Sequence, residues 1–169
     1  MPSHLILGGR RSGKSAYAED LALGSGLPKT YIATSRAYDA DHQTRIDVHR
    51  ARREGQGWQV IEAPDPGDLQ AILDQQSNKD QVVLLDCLSM WLNNLFLDAA
   101  DMAVVPDLKL PSGPAQLLLV SMEVGLGLHP ETSLGRAYAD ALGTLNQQVA
   151  KQADKVTFVA AGLPLPLKE

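Results

Sequence analysis

Apolar and polar positions along the chain switch repeatedly between a short-run pattern and a helical one. His4-Leu-Ile-Leu7 is a compact apolar run of the kind that fills a buried strand, and Ala16-Tyr-Ala-Glu-Asp-Leu-Ala-Leu23 follows as helix-forming sequence. The same succession recurs. Thr30–Thr34 reads as a β-branched and aromatic strand, Asp39–Arg53 as a helix, Trp58–Ala63 as an alternating strand and Gly67–Gln76 as a short helix. Gln81–Asp86 is a continuous apolar run closing on an acid, as buried parallel strands do, and Leu88–Leu97 is an apolar helix around Trp91. Asp98–Ala115 carries Pro106, Pro111 and Pro114 without a period and reads as a long loop. Leu117–Ser121 is a further buried strand. Ser133–Ala153 is an amphipathic helix with Leu134, Tyr138, Ala141, Leu142, Leu145 and Val149 on one stripe, capped by Thr132 or Ser133. Lys155–Ala161 is the last expected strand, and Gly162–Lys168 is expected to be a short tail. Strand and helix alternate throughout, which predicts a single α/β domain with a mainly parallel sheet flanked by helices.

Composition narrows the classes. The chain has 169 residues, 44% of them hydrophobic and 21% charged, which is enough for one full core. A single cysteine, Cys87, excludes an internal disulfide framework and fits a reducing cytoplasm. Cys87 itself reads as a small buried residue rather than a nucleophile. No charged-then-apolar leader opens the sequence, and no apolar stretch approaches a membrane span. The net charge of −5 is unevenly spread. Residues 1–53 hold nine Lys/Arg and five Asp/Glu, whereas residues 54–169 hold six and fifteen. A nucleic-acid binder shows a larger basic excess. A local excess beside a phosphate-binding motif suits a small polyphosphate.

That motif is Gly8-Gly9-Arg10-Arg11-Ser12-Gly13-Lys14-Ser15, which reads G-x-x-x-x-G-K-S between the first strand and the first helix. Backbone N–H groups converge there on phosphate oxygens at a helix N-terminus. Lys14 is positioned to reach the β- and γ-phosphates, and the Ser15 hydroxyl to ligate Mg²⁺. An apolar strand ending in Asp86 is the expected metal-side partner of such a loop. Thr34-Ser35-Arg36 ends the second strand where ligands of open α/β sheets sit, although it fits a helix cap equally well. Ser77-Asn-Lys-Asp80 lacks the spacing of the guanine-reading N-K-x-D element, which argues against a GTPase switch.

Arg45, His49 and Arg52 or Arg53 fall on one face of the second helix. Cations around a histidine favour the neutral, nucleophilic imidazole and attract phosphates. The pattern alone fits a surface or packing histidine as well. His129, in the glycine-containing loop Glu123–Pro130, is ambiguous in the same way.

Taken together, these segments resemble the bifunctional adenosylcobinamide kinase/adenosylcobinamide-phosphate guanylyltransferase family nearly end to end. The phosphate loop is common to many families. More specific are Arg45-Ile-Asp-Val-His-Arg50 followed by Trp58 and Glu62, and Glu123-Val-Gly-Leu-Gly-Leu-His-Pro-Glu131 followed by Arg136 and Asn146-Gln147. Tyr31–Ser35, Leu85–Leu88 with Trp91–Leu95, and Ala161–Leu165 are similar to further family segments. Two departures are Met122, where the family usually has Asn, and the proline-rich stretch 106–114.

The resemblance implies a single-domain P-loop (RecA-like) fold over residues 1–169 and two reactions in cobalamin biosynthesis. One is phosphorylation of adenosylcobinamide by ATP or GTP. The other is transfer of GMP from GTP to adenosylcobinamide phosphate through a guanylyl-histidine. It assigns the nucleophile to His49, and phosphate and metal contacts to residues 8–15 with Mg²⁺ on Ser15 and Asp86. Nucleotide contacts are implied for Ala33, Thr34, Ser35, Arg50, Ala51, Arg52, Arg53, Glu62 and Asp86. It also implies a homotrimer, with no nucleic-acid partner. Two other readings fit the same phosphate loop: a monofunctional kinase of another small alcohol, and a non-catalytic nucleotide-dependent binding protein.

Overall fold

The computed structural model describes residues 2–98 and 105–169, with the side chains of residues 41, 42 and 45 also outside the described set. Its elements follow the expected order. They are β1 (Ser3–Gly8), α1 (Lys14–Gly24), β2 (Lys29–Ala33), α2 (Ala40–Arg53) and β3 (Trp58–Glu62). After a 3₁₀ turn (Pro66–Asp68) come α3 (Leu69–Ser77), β4 (Val82–Asp86), α4 (Leu88–Asp98), β5 (Gln116–Met122), α5 (Ser133–Gln152), β6 (Lys155–Ala160) and β7 (Leu163–Lys168).

The seven strands form one sheet in the order β3-β2-β4-β5-β1-β6-β7. All pairings are parallel except β6 with β7. The central strands are apolar on both faces because helices cover both. Leu5 and Leu7 of β1, Val83 and Leu85 of β4, and Leu117 and Leu119 of β5 join the core under α3, α4 and α5. The intervening Ile6, Leu84 and Leu118 face the opposite layer, where α1 lays Ala18 and Ala22 against the sheet. Alanines at that spacing let α1 approach closely, which holds the phosphate loop at its N-terminus against the strand ends.

One expectation is corrected here. Residues 163–168 are not a tail but an antiparallel edge strand, with Leu165 opposite Phe158 and Pro164 opposite Val159. Pro164 and Pro166 mask this strand in the sequence. Proline gives no ladder donor, yet prolines at every second position strip donors from one side of a strand only, and an edge strand spares its outer side. Of the long loop expected after α4, residues 99–104 lie outside the described residues. Residues 105–115 form no helix or strand, and Leu108 is buried.

Candidate active site

Register aligns the chemistry at the carboxyl end of the sheet. Ala33 of β2 pairs with Glu62 of β3 on one side and with Asp86 of β4 on the other, so these three residues sit abreast. Gly8 of β1 pairs with Met122 of β5. The cleft above these ends has a volume of about 380 Å³, and its walls include Arg10, Lys14, Ser15, Ala33, Ser35, His49, Arg50, Arg53, Glu62 and Asp86.

The phosphate loop is shaped by its backbone. A Cβ at Gly8 would lie 2.5 Å from the Val159 carbonyl oxygen and 2.5 Å from the Ser12 hydroxyl, so only glycine fits where β1 turns into the loop. Gly13 caps α1 with φ +98°, in the left-handed region that glycine occupies without strain. The chain's other end braces the loop, because the Gly162 N–H donates to the Ser12 carbonyl at 2.8 Å. The Glu123 N–H donates to the Gly8 carbonyl at 3.1 Å, which ties in the β5–α5 loop. Lys14 Nζ donates to the Gly9 carbonyl at 3.1 Å, and the Ser12 hydroxyl is buried without a hydrogen-bond partner. Lys14 and Ser15 therefore stand at the α1 N-terminus, where anions are favoured.

The loops beyond β2 and β3 are tied together by α4. The buried Asn94 Nδ2 donates to the Thr34 carbonyl at 2.7 Å and to the Pro64 carbonyl at 3.0 Å. Arg36 adds a bidentate pair with Asp98 at 2.7 and 2.8 Å and donates to the Pro64 carbonyl. These bonds fix Ser35 and Glu62 on the cleft wall. At the mouth, Arg50 meets Glu62 at 2.8 Å in an exposed ion pair.

His49 projects from α2 into the same cleft as Lys14. Burial holds its imidazole below the ordinary value of 6.5. The Asp86 carboxylate opposes that shift, while the charges of Arg53, Arg52 and Lys14 reinforce it. The ring is thus neutral at neutral pH, and its Nδ1 is buried without a hydrogen-bond partner. The Asp86 carboxylate accepts from the Tyr31 hydroxyl at 3.0 Å. Arg53, 6% exposed, lies with its guanidinium 3.6 Å from the Tyr31 ring centroid. Cys87 is confirmed as a buried thiol. Burial and the Asp86 charge push it up to about 11, and its sulfur contacts the Ser89 hydroxyl.

Some residues singled out in the sequence stand elsewhere. Thr34 is fully buried, and its hydroxyl donates to the Cys87 carbonyl and accepts from the Cys87 N–H. Its side chain therefore joins β2 to β4 and does not line the cleft. Ala51 and Arg52 are exposed on α2 and are not among the cleft walls, although the Arg52 charge still reaches His49. The Arg45 side chain lies outside the described residues. Arg11 takes φ +58° and lines a second depression with Arg10 and His49. His129 is exposed and is absent from the cleft walls.

Tyr31 is a polar cleft residue that sequence reasoning missed; the apolar Ile46 and Met90 also line the cleft. The signal was the strand period: if Ala33 and Ser35 face the cleft, so does Tyr31. Asn146, by contrast, proves to be a support. Its Oδ1 accepts from the Ser121 hydroxyl at 2.7 Å and its Nδ2 donates to the Met122 carbonyl at 3.0 Å, steadying the end of β5.

Among solved structures, the chain superposes on the flagellar accessory protein FlaH from Methanocaldococcus jannaschii with a TM-score of 0.52 at 17% identity, covering 99% of this chain and 78% of that one. It superposes on a type III secretion ATPase with a TM-score of 0.56 at 9% identity, covering 98% and 56%. Likenesses this distant establish the P-loop NTPase fold alone. In sequence, the chain is 44% identical to the bifunctional adenosylcobalamin biosynthesis protein CobP of Pseudomonas aeruginosa, over 97% of this chain and 96% of that protein. It is 33% identical to the bifunctional adenosylcobalamin biosynthesis protein CobU of Escherichia coli, over 97% and 98%. Residues 4–167 match the family model described as cobinamide kinase / cobinamide phosphate guanyltransferase. Matched by that family model over residues 4–167 and by relatives over 97% of its length, the chain belongs to the cobinamide kinase / cobinamide phosphate guanyltransferase family.

Proposed function

We propose that this one cleft serves both family reactions, and that His49 carries the guanylyl group between GTP and cobinamide phosphate. The observation behind this reading is a neutral imidazole sharing a cleft with the Lys14 and Ser15 end of the phosphate loop. An imidazole nitrogen of His49 attacks the α-phosphorus of GTP. The bond from that phosphorus to the β-phosphate oxygen breaks, and pyrophosphate leaves with the electron pair. A terminal phosphate oxygen of adenosylcobinamide phosphate then attacks the same phosphorus. The P–N bond breaks, neutral His49 returns, and adenosylcobinamide-GDP is formed. A neutral imidazole is a competent nucleophile without a partner base. Lys14, Arg50 and Arg53 supply positive charge where negative charge develops.

In the kinase reaction, Lys14 and the loop N–H groups hold the β- and γ-phosphates of ATP or GTP while the cobinamide hydroxyl oxygen attacks the γ-phosphorus; the bond to the β-phosphate oxygen breaks, ADP or GDP leaves with the electron pair, and the hydroxyl proton is released to water. The Ser15 hydroxyl and the Asp86 carboxylate are hard oxygen donors on one cleft wall, a set that suits Mg²⁺ completed by phosphates and water. They would hold that ion, which when bound neutralises charge on the phosphates. Glu62 and Ser35, which also line the cleft, are the groups we assign to the nucleoside. The reading includes a homotrimer, checked by light scattering for three times the 18.2 kDa chain mass.

The deciding experiment is incubation with GTP radiolabelled at the α-phosphate, with Mg²⁺, followed by denaturation. We expect an acid-labile, alkali-stable label on the wild type and none on His49→Ala. An unlabelled wild type that still binds GTP would remove His49 as the nucleophile and favour a kinase-only enzyme.

A further inference from the structure

Helix α2 is attached to the domain in an unusual way. Among its described side chains, Arg53 alone is buried, and the apolar Val48 is 56% exposed. A helix normally docks through an apolar stripe. This one docks through a cation in its last turn. The guanidinium lies on the face of Tyr31, whose ring is held by its hydroxyl bond to Asp86 and by an edge contact with Trp58 at 5.9 Å. On the other side, Arg53 Nη1 stands 4.0 Å from Glu19 Oε1. Glu19 belongs to α1, one turn beyond Ser15, and is only 7% exposed. Neither Glu19 Oε1 nor Arg53 Nη1 has a hydrogen-bond partner, so charge rather than a hydrogen bond joins them. Glu19 is not part of the cleft wall. A carboxylate buried there costs desolvation and suits no purely apolar packing role. Burial holds its carboxyl above the usual carboxylate range; Arg52 and Arg53 oppose that shift, and the Asp86 and Asp20 charges reinforce it.

We propose that Glu19 is a positioning residue for His49: it holds the Arg53 guanidinium on the Tyr31 ring, and that anchor fixes the turn of α2 which presents His49 to the phosphate loop. His49 and Arg53 are four residues apart, so they share one face and one turn. The helix that grips the triphosphate at its N-terminus thereby also sets, one turn later, where the attacking group stands. Misplacing a nucleophile by about 1 Å can cost on the order of 10²-fold in rate. The inference rests on the assignment of His49 as nucleophile, and one measurement below is independent of that assignment.

The test compares wild type with Glu19→Gln, which keeps shape and loses charge. Three rates are followed: covalent labelling of His49 by GTP, phosphorylation of adenosylcobinamide, and carbethoxylation of His49 by diethyl pyrocarbonate, mapped by peptide mass spectrometry. The expected result is labelling slowed at least about tenfold and phosphorylation within about threefold, with His49 carbethoxylated faster as α2 loses its anchor. Unchanged labelling and carbethoxylation would overturn the proposal. So would a lowered Tm with unchanged His49 reactivity, which is all that a merely structural role predicts. If the wild type takes no label, the nucleophile assignment has failed, and the carbethoxylation rates alone decide the anchoring. If Glu19→Gln fails to fold, Arg53→Lys, which keeps the charge and loses the planar stack, is read by carbethoxylation in the same way.

Discussion

The phosphate loop and helix α2 are built on opposite principles although both face one cleft. The loop grows out of the most buried strand of the sheet, is shaped by backbone that admits no side chain at Gly8, and is braced by Gly162 and Glu123 from distant parts of the chain. Helix α2 lies on the periphery, mostly exposed, with one charged anchor. The loop, to which we assign the triphosphate, is thus over-determined by the core, and the helix that carries His49 is held by a few polar contacts. Damage to the first region is expected to reach both reactions and the fold. Damage to the second is expected to reach guanylyl transfer first.

The sharpest break of this comparison is His49→Ala, expected to lower guanylyl transfer by at least about 10³-fold while cobinamide phosphorylation falls far less; separate assays of the two products check this. Lys14→Ala should instead depress both reactions, by roughly 10²–10³-fold each, as loss of one preorganised charge does. If only one reaction responds to Lys14→Ala, the two do not share the phosphate grip. Gly8→Ala forces a Cβ onto the Val159 carbonyl and should cost about 1–3 kcal/mol of stability, read as a lowered midpoint in urea.

A pH series separates the regions more gently. In the proposed mechanism the neutral ring of His49 makes the attack, and burial holds its value in the folded protein below 6.5. Labelling should therefore persist as pH falls through 6.5 and be lost only at lower pH. Because the unfolded chain takes up that proton first, His49 also withdraws stability as pH drops below 6.5. A labelling midpoint above 6.5 would contradict the burial of the ring. The smallest effect belongs to Arg50→Ala: its pair with Glu62 is about half exposed, so stability should change by less than about 1 kcal/mol, as thermal unfolding can verify.

The two regions also differed in how well the sequence announced them. The strand–loop–helix around residues 8–15 was legible because glycine and lysine at fixed spacing are local chemistry that context cannot easily override. Asp86 was legible for a similar reason, as an acid closing an apolar run. What could not be read was the company each side chain keeps across the fold. Thr34 looked like a ligand contact because of its position at a strand end, but a cross-strand partner, the Cys87 backbone, claims its hydroxyl. Arg53 was legible as a cation beside His49, but only the approach of β2 and α1 makes it the buried foot of α2. The expected tail, Gly162–Lys168, hides an edge strand, because the prolines that argue against a central strand are tolerated at a sheet edge.

That last strand has a consequence of its own. Leu163, Leu165 and Leu167 leave an apolar row that is 57–72% exposed beside the edge of the sheet. Such an edge ordinarily invites another chain to extend the ladder and seed fibrous aggregates. With Pro164 and Pro166 offering no N–H donors, a further strand pairs poorly with β7. Molecules that meet at this row are steered to side-chain contact, which keeps an apolar surface while discouraging open-ended strand addition.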